Sequence, residues 1–178
     1  MHRACRLGQL DIAQGLHHAG ASLDADHTGG TPLHSACMSG HLDVAQWLYS
    51  AGASVDATNS NGKTPLLLAC LEGHLDVAQW LHSAGASLDA TDNHGQTPLH
   101  YACESAHLDM ISWLCSAGAD ATLLLGCTQL LQQHEPFDRD KQAFNSTMSA
   151  LLVAERRGAE ELARAAEAAL LAEEAAPP

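Results

Sequence analysis

The sequence predicts an all-α repeat solenoid, and three observations carry that expectation. The stretch "TPLHSACMSGHLDVAQWLYSAGAS" at 31–54 returns as "TPLLLACLEGHLDVAQWLHSAGAS" at 64–87 and as "TPLHYACESAHLDMISWLCSAGAD" at 97–120, a period of 33 residues. A fixed period of about 20–50 residues marks units that cannot bury their own apolar faces and therefore stack on one another. The 178-residue chain is 46% hydrophobic but only 4% aromatic, so the shared core is built from small aliphatic side chains. Each unit also carries helix start and stop residues at fixed places.

The first unit, residues 1–30, lacks its beginning. "HRACRLGQLDIAQGLHHAGAS" aligns with "HSACMSGHLDVAQWLYSAGAS" at a spacing of 32, which places Met1 inside a helix. Terminal units ordinarily carry a polar outer face. A start in mid-helix leads to the expectation that the chain is a fragment of a longer array.

In the second unit, 31–63, Thr31 can N-cap a helix with Pro32 at the first helical position, where a missing N–H costs nothing. "PLHSACM" gives about two turns, and Gly40 supplies a left-handed stop. "HLDVAQWLYSA" is a second helix with Leu42, Ala45, Leu48 and Tyr49 spaced for one face. Asp43 in its first turn complements the helix dipole, and Gly52 ends it. A polar connector follows, with an Asn61-Gly62 hairpin signal.

The third unit, 64–96, repeats this plan with Leu67 in place of His34, which predicts one lost polar contact near the turn. The fourth, 97–122, restores the histidine as His100 but has Ala106 where Gly40 and Gly73 stand. If that position needs positive φ, Ala106 is strained by about 1 kcal/mol.

Helix, tight turn, helix and hairpin at this period, opening on Thr-Pro-Leu-His, resembles the ankyrin repeat. Three copies carry the Thr-Pro-Leu opening, and the Gly-Ala pairs at Gly52, Gly85 and Gly118 keep phase. The resemblance covers residues 1 to about 135. It implies an ankyrin helix-turn-helix-hairpin stack in which His34 and His100 hydrogen-bond between neighbouring hairpins. Residues 123–135 read as a decayed repeat or cap, since Gly126-Cys127-Thr128-Gln129-Leu130 stands where the family has G-x-T-P-L and Pro136 follows. Residues 136–148 read as a linker. Residues 149–178 read as a C-terminal Ala/Glu-rich helix, weakened at Gly158, with a disordered tail. Leu151, Leu152, Leu162, Leu170 and Leu171 form no sustained heptad, which gives a coiled coil little support.

The net charge is −13, of which residues 1–122 carry −9 (Arg3, Arg6 and Lys63 against twelve Asp and Glu) and residues 123–178 carry −4. An acidic chain argues against nucleic acid or an anionic membrane as the main partner. There is no apolar run long enough for a membrane span and no signal-peptide core near Met1. An intracellular protein, cytoplasmic or nuclear, is expected. Cys5, Cys37, Cys70 and Cys103 recur at one position. Stacked helices lie about 8–10 Å apart and a disulfide needs Cα atoms within about 7 Å, so these are expected as small buried hydrophobes. Cys115 and Cys127 break the period.

Twelve histidines raise the question of metal or catalysis. The repeat accounts for His34, His100, His41, His74 and His107 as structural residues. His17, His18, His27, His82, His94 and His134 are read as not fixed by the repeat. No H-x-x-x-H or C-x-x-C pair, Gly-rich phosphate loop or nucleophile elbow is present. Asp43, Asp76 and Asp109 are repeated helix starts rather than paired acid/base carboxylates. No catalytic residue, metal ligand or cofactor is therefore assigned. Asn145 heads an isolated sequon, taken as chance. Trp47, Trp80 and Trp113 share one position, which suggests a ladder in the outer layer.

The letters that change between copies are the candidates for recognition. They are His27, Thr28 and Gly30, then Ser60, Asn61 and Lys63, then Asn93, His94 and Gln96 on the hairpins. On the first helices they are Met38, Ser39, Leu68, Leu71, Glu72, Tyr101, Glu104 and Ser105, with Ser35 also varying. The resemblance implies that hairpin tips and first helices line a concave groove for protein partners. Polar tips around Met38, Leu68, Leu71 and Tyr101 match the apolar centre and polar rim of an interface. The expected function is a non-enzymatic, monomeric adaptor or scaffold for a protein of unknown identity. The alternative is the recognition fragment of a larger enzyme or channel, and a third is a pH- or metal-responsive module built on the histidines.

Overall fold

The computed structural model describes residues 1–26 and 29–120. The readings for 123–135, 136–148 and 149–178, and those for His27, Thr28, Cys127, His134 and Asn145, lie outside the described residues. The described chain forms α1 (His2–Arg6), α2 (Leu10–His18), α3 (Pro32–Met38), α4 (Leu42–Ser50), α5 (Pro65–Glu72), α6 (Leu75–Ser83), α7 (Pro98–Glu104) and α8 (Leu108–Ser116). These are four helix pairs. First helices stack as α1 on α3, α3 on α5 and α5 on α7, while α2 packs on α4 and α4 on α6. Among the described residues no strand is present, and the expected all-α solenoid is what the chain forms.

Thr31, Thr64 and Thr97 cap α3, α5 and α7 in extended conformation, each with Pro at the first helical position. In α3 and α7 the cap is reciprocal: the threonine oxygen accepts the N–H three residues on, and the histidine ring accepts the threonine N–H. In α5 only the first half survives, because Leu67 has no acceptor. The second helices α4, α6 and α8 follow an N-cap His and α2 follows Gln9, and all four carry Asp in the first turn.

The core runs as columns through the stack. Cys5, Cys37, Cys70 and Cys103 are buried, as are Leu33, Leu66 and Leu99. On the second helices the buried face is Val44, Ala45 and Leu48, repeated by Val77, Ala78 and Leu81 and by Met110, Ile111 and Leu114. Tyr49, expected on that face, is 45% exposed and belongs to the outer layer. Burial raises the Cys37 thiol and pushes the Cys70 thiol up to about 12, so these sulfurs are packing atoms rather than nucleophiles. Cys70 Sγ lies 3.8 Å from Met110 Sδ as a weak donor.

The Asn61-Gly62 pair makes a different turn from the one its spelling suggests. Asn61 keeps negative φ and only Gly62 is left-handed, at +76°. The Gly62 N–H donates to the Asn59 carbonyl at 2.9 Å and the Asn59 N–H to the Lys63 carbonyl at 3.0 Å. This is a type I turn closed by a left-handed glycine. Asn59 Oδ1 stiffens it by accepting the N–H groups of Asn61 and Lys63, both at 3.0 Å.

Candidate functional site

The repeated histidines come first, because their bonding decides what is left for chemistry. His41, His74 and His107 donate from Nε2 to the carbonyls of Arg6, Met38 and Leu71 in the preceding unit, at 3.1, 3.2 and 3.1 Å. Their rings lie over the left-handed glycines Gly8, Gly40 and Gly73, where an added Cβ would come within 2.6 Å of a ring atom. His34 donates from Nε2 to the Lys63 carbonyl in the next hairpin at 2.9 Å, and His2 reaches the Gly30 carbonyl at 2.8 Å. His34 Nδ1 accepts the Thr31 N–H at 3.1 Å, so the ring is needed neutral with its hydrogen on Nε2. Burial lowers its pKa from 6.5 against the opposing pull of the Lys63 carbonyl, consistent with that requirement. Leu67 is fully buried and makes neither bond, which is the predicted lost contact.

The outer layer holds the expected tryptophan series, with a partner the sequence reading missed. Trp47 meets His17, Trp80 meets Tyr49 and Trp113 meets His82, all edge-on, at 5.9, 5.8 and 6.0 Å between ring centroids. His17 and His82 thus occupy the Tyr49 position and are fixed by the repeat after all. The same spacing of 32 and 33 that aligned the tryptophans identifies them. Among the described residues no group of three or more His, Cys, Asp or Glu could hold a metal ion.

The variable residues of the first helices and hairpins differ in exposure, and Gly30, Met38 and Leu68 of them line one cleft. Met38 is 37% exposed, Leu71 and Ser39 are half-buried, and Glu72 and Glu104 are exposed. Ser60, Asn61, Asn93 and His94 are exposed, while Gly30, Lys63, Gln96 and Ser105 are half-buried. Two residues are placed differently from the expectation of a solvent-facing apolar centre. Leu68 and Tyr101 are buried, at 8% and 6% exposure. Tyr101 folds back so that its hydroxyl donates to Asp92 Oδ2 at 2.7 Å, and Lys63 Nζ covers its ring at 4.5 Å. Burial and the Asp92 carboxylate raise the Tyr101 hydroxyl pKa strongly. Burial would raise the Asp92 carboxyl too, but the Gln96 N–H, the Tyr101 hydroxyl and the His94 N–H outweigh it and hold it below 3.8. The hairpin tips also brace one another: the Asn93 N–H donates to the Asn61 carbonyl and Asn93 Nδ2 to the Ser60 carbonyl, both at 3.0 Å. The apolar centre is therefore narrower than the sequence suggested, with Met38 and Leu71 as its accessible part.

This cleft, of about 400 Å³, opens at the first three units. His2, Arg3 and Arg6 of α1, Ser35 and Met38 of α3, and Leu68 of α5 line it, with Asp26, Gly30, His34 and Asn59. Arg3 and Arg6 are exposed and were not among the residues picked out from the sequence. They were findable: Arg3 stands in the column of Ser35, Leu68 and Tyr101, and Arg6 in that of Met38, Leu71 and Glu104.

Among the described residues no helix is long and apolar enough to cross a membrane. A family model described as ankyrin repeats (3 copies) matches residues 1–59 and 51–124. No curated protein matches the chain. With the match spanning all four helix pairs, the chain belongs to the ankyrin-repeat family, whose repeats generally serve as protein–protein interaction modules.

Proposed function

We propose that the chain is a non-enzymatic adaptor or scaffold that holds a protein partner on the face formed by its first helices and hairpins. The observation that carries this reading is the cleft of about 400 Å³ on that face, bordered by a half-exposed methionine and by residues that differ from copy to copy. Variation there is free of the packing constraint that fixes the buried columns. His34, His41, His74 and His107 are bound to backbone carbonyls, which leaves them scaffold roles rather than chemical ones. The working face comprises Met38, Ser39, Leu71, Glu72, Glu104 and Ser105 with the tips at Gly30, Ser60, Asn61, Lys63, Asn93, His94 and Gln96. Leu68 and Tyr101 support it from beneath, and the chain acts as a monomer inside the cell.

The test is an affinity capture from cell lysate with residues 1–178 as bait, beside a Met38→Glu/Leu71→Glu variant whose fold is checked by circular dichroism. A partner held by the first and lost by the second is the expected result. Identical captures would sink the reading.

A further inference from the structure

We infer that the partner presents an acidic segment, docked with its carboxylates on Arg3 and Arg6 and an apolar side chain against Met38. This rests on the groove reading above and deepens it. Residues 1–122 contain only three Lys and Arg against twelve Asp and Glu. Arg3 and Arg6 both line the cleft, one turn apart on α1, and both are exposed. The third cation, Lys63, is held over the Tyr101 ring. Asp26 is the single acid among the cleft's lining residues.

The rest of the face is charged the other way. The column that begins with Arg6 passes through Met38 and Leu71 and ends at Glu104, and Glu72 stands exposed beside it. The face thus runs from cationic at the first unit, through apolar, to anionic at the fourth. A guanidinium is a rigid fork that matches a carboxylate with two parallel hydrogen bonds. On a chain of net charge −13, an acidic segment is repelled from most of the surface and favoured at this end. The polarity also fixes direction, with the partner's acidic end at the first unit.

The test is selection of a random-peptide display library on the full chain, on Arg3→Glu/Arg6→Glu and on Met38→Glu/Leu71→Glu. The expected result is enrichment of Asp and Glu beside an apolar residue on the wild type, and of Lys or Arg on the arginine variant. The best wild-type peptide, synthesised and titrated by fluorescence anisotropy, should bind the arginine variant about tenfold or more weakly. Should the charge reversal disturb folding, Arg3→Gln/Arg6→Gln serves, with a smaller loss expected. Peptides without acidic enrichment that still depend on Met38 and Leu71 would overturn the inference and leave the groove standing. Peptides indifferent to every variant would overturn both. Displacement by inorganic phosphate but not by acetate would assign the arginines to a phosphate instead and overturn the carboxylate partner.

Discussion

Helices α2 and α4 are the same element in two surroundings. Ile12, Ala13 and Leu16 of α2 occupy the positions of Val44, Ala45 and Leu48 of α4. All three α4 residues are fully buried, whereas Ile12 is 51% exposed, Leu16 37%, and only Ala13 is buried. Among the described residues α4 packs on both α2 and α6, whereas α2 has α4 as its one neighbouring second helix. Burial in such a stack belongs to the junction between units rather than to the unit, and the same letter stabilises by different amounts along the chain.

The largest effect expected from this contrast is a pair of leucine truncations. Leu48→Ala should cost about 3 kcal/mol, a buried methyl cluster plus the cavity left behind, while Leu16→Ala should cost about 1 kcal/mol or less. Urea unfolding of the two variants measures both, and equal costs would break the comparison.

Next come the glycines under the histidine rings. Gly40→Ala meets His74 at 2.6 Å and keeps a left-handed backbone, so about 2–3 kcal/mol is expected. Gly52→Ala has the same backbone sign but nothing within 4 Å, so about 1 kcal/mol is expected. Adding His74→Ala to Gly40→Ala should return the steric part, read as a coupling energy in a double-mutant cycle. Ala106, at φ +56°, is the natural instance of the strained state. Ala106→Gly should therefore stabilise by about 0.5 kcal/mol in the same assay.

Tyr101→Phe removes the hydroxyl that donates to Asp92 at 2.7 Å and should cost about 1 kcal/mol in thermal unfolding. A cost near zero would mean that the ring alone, under Lys63, holds Tyr101 down.

The smallest expected effect is a pH dependence at His34. Its folded pKa lies below the unfolded 6.5, so its neutral form is favoured in the native state. That stability is complete above 6.5 and is lost as pH falls from 6.5 through the folded value, since the unfolded chain takes up the proton first. Melting temperature should decline over this window more in the wild type than in His34→Leu, which copies the natural Leu67. Parallel profiles would remove His34 from the account.

Most of the scaffold was legible in the sequence because its signals are local. Thr-Pro starts a helix by capping and by a fixed φ, and the glycines stop it within one turn. The buried cysteine column follows from spacing alone. What escaped was whatever depends on a neighbour one period away. Gly40 and His74 touch across a distance of 34 residues, and constant letters cannot reveal that they are a pair. The candidate face was readable as a set of variable columns but not in its depth. Tyr101 is long enough to reach Asp92 of its own hairpin, and that reach buries a residue whose variability suggested exposure. Arg3 and Arg6 are harder to read because the first unit lacks the Thr-Pro-Leu opening that marks the variable columns in the other three.

The histidine over the glycine makes every joint of the stack directional. Each unit offers a socket toward its successor, a bare glycine beside an open carbonyl, and inserts a plug, the imidazole, into its predecessor. Units two and three carry both parts, so a duplicate of residues 64–96 spliced between them would find matching fittings on either side. The fourth unit carries the plug, His107, but the methyl of Ala106 fills its socket. A copy inserted in the interior of the array therefore meets a glycine socket at each joint, whereas a copy added after Ala106 would meet a methyl in its place, which Ala106→Gly would remove.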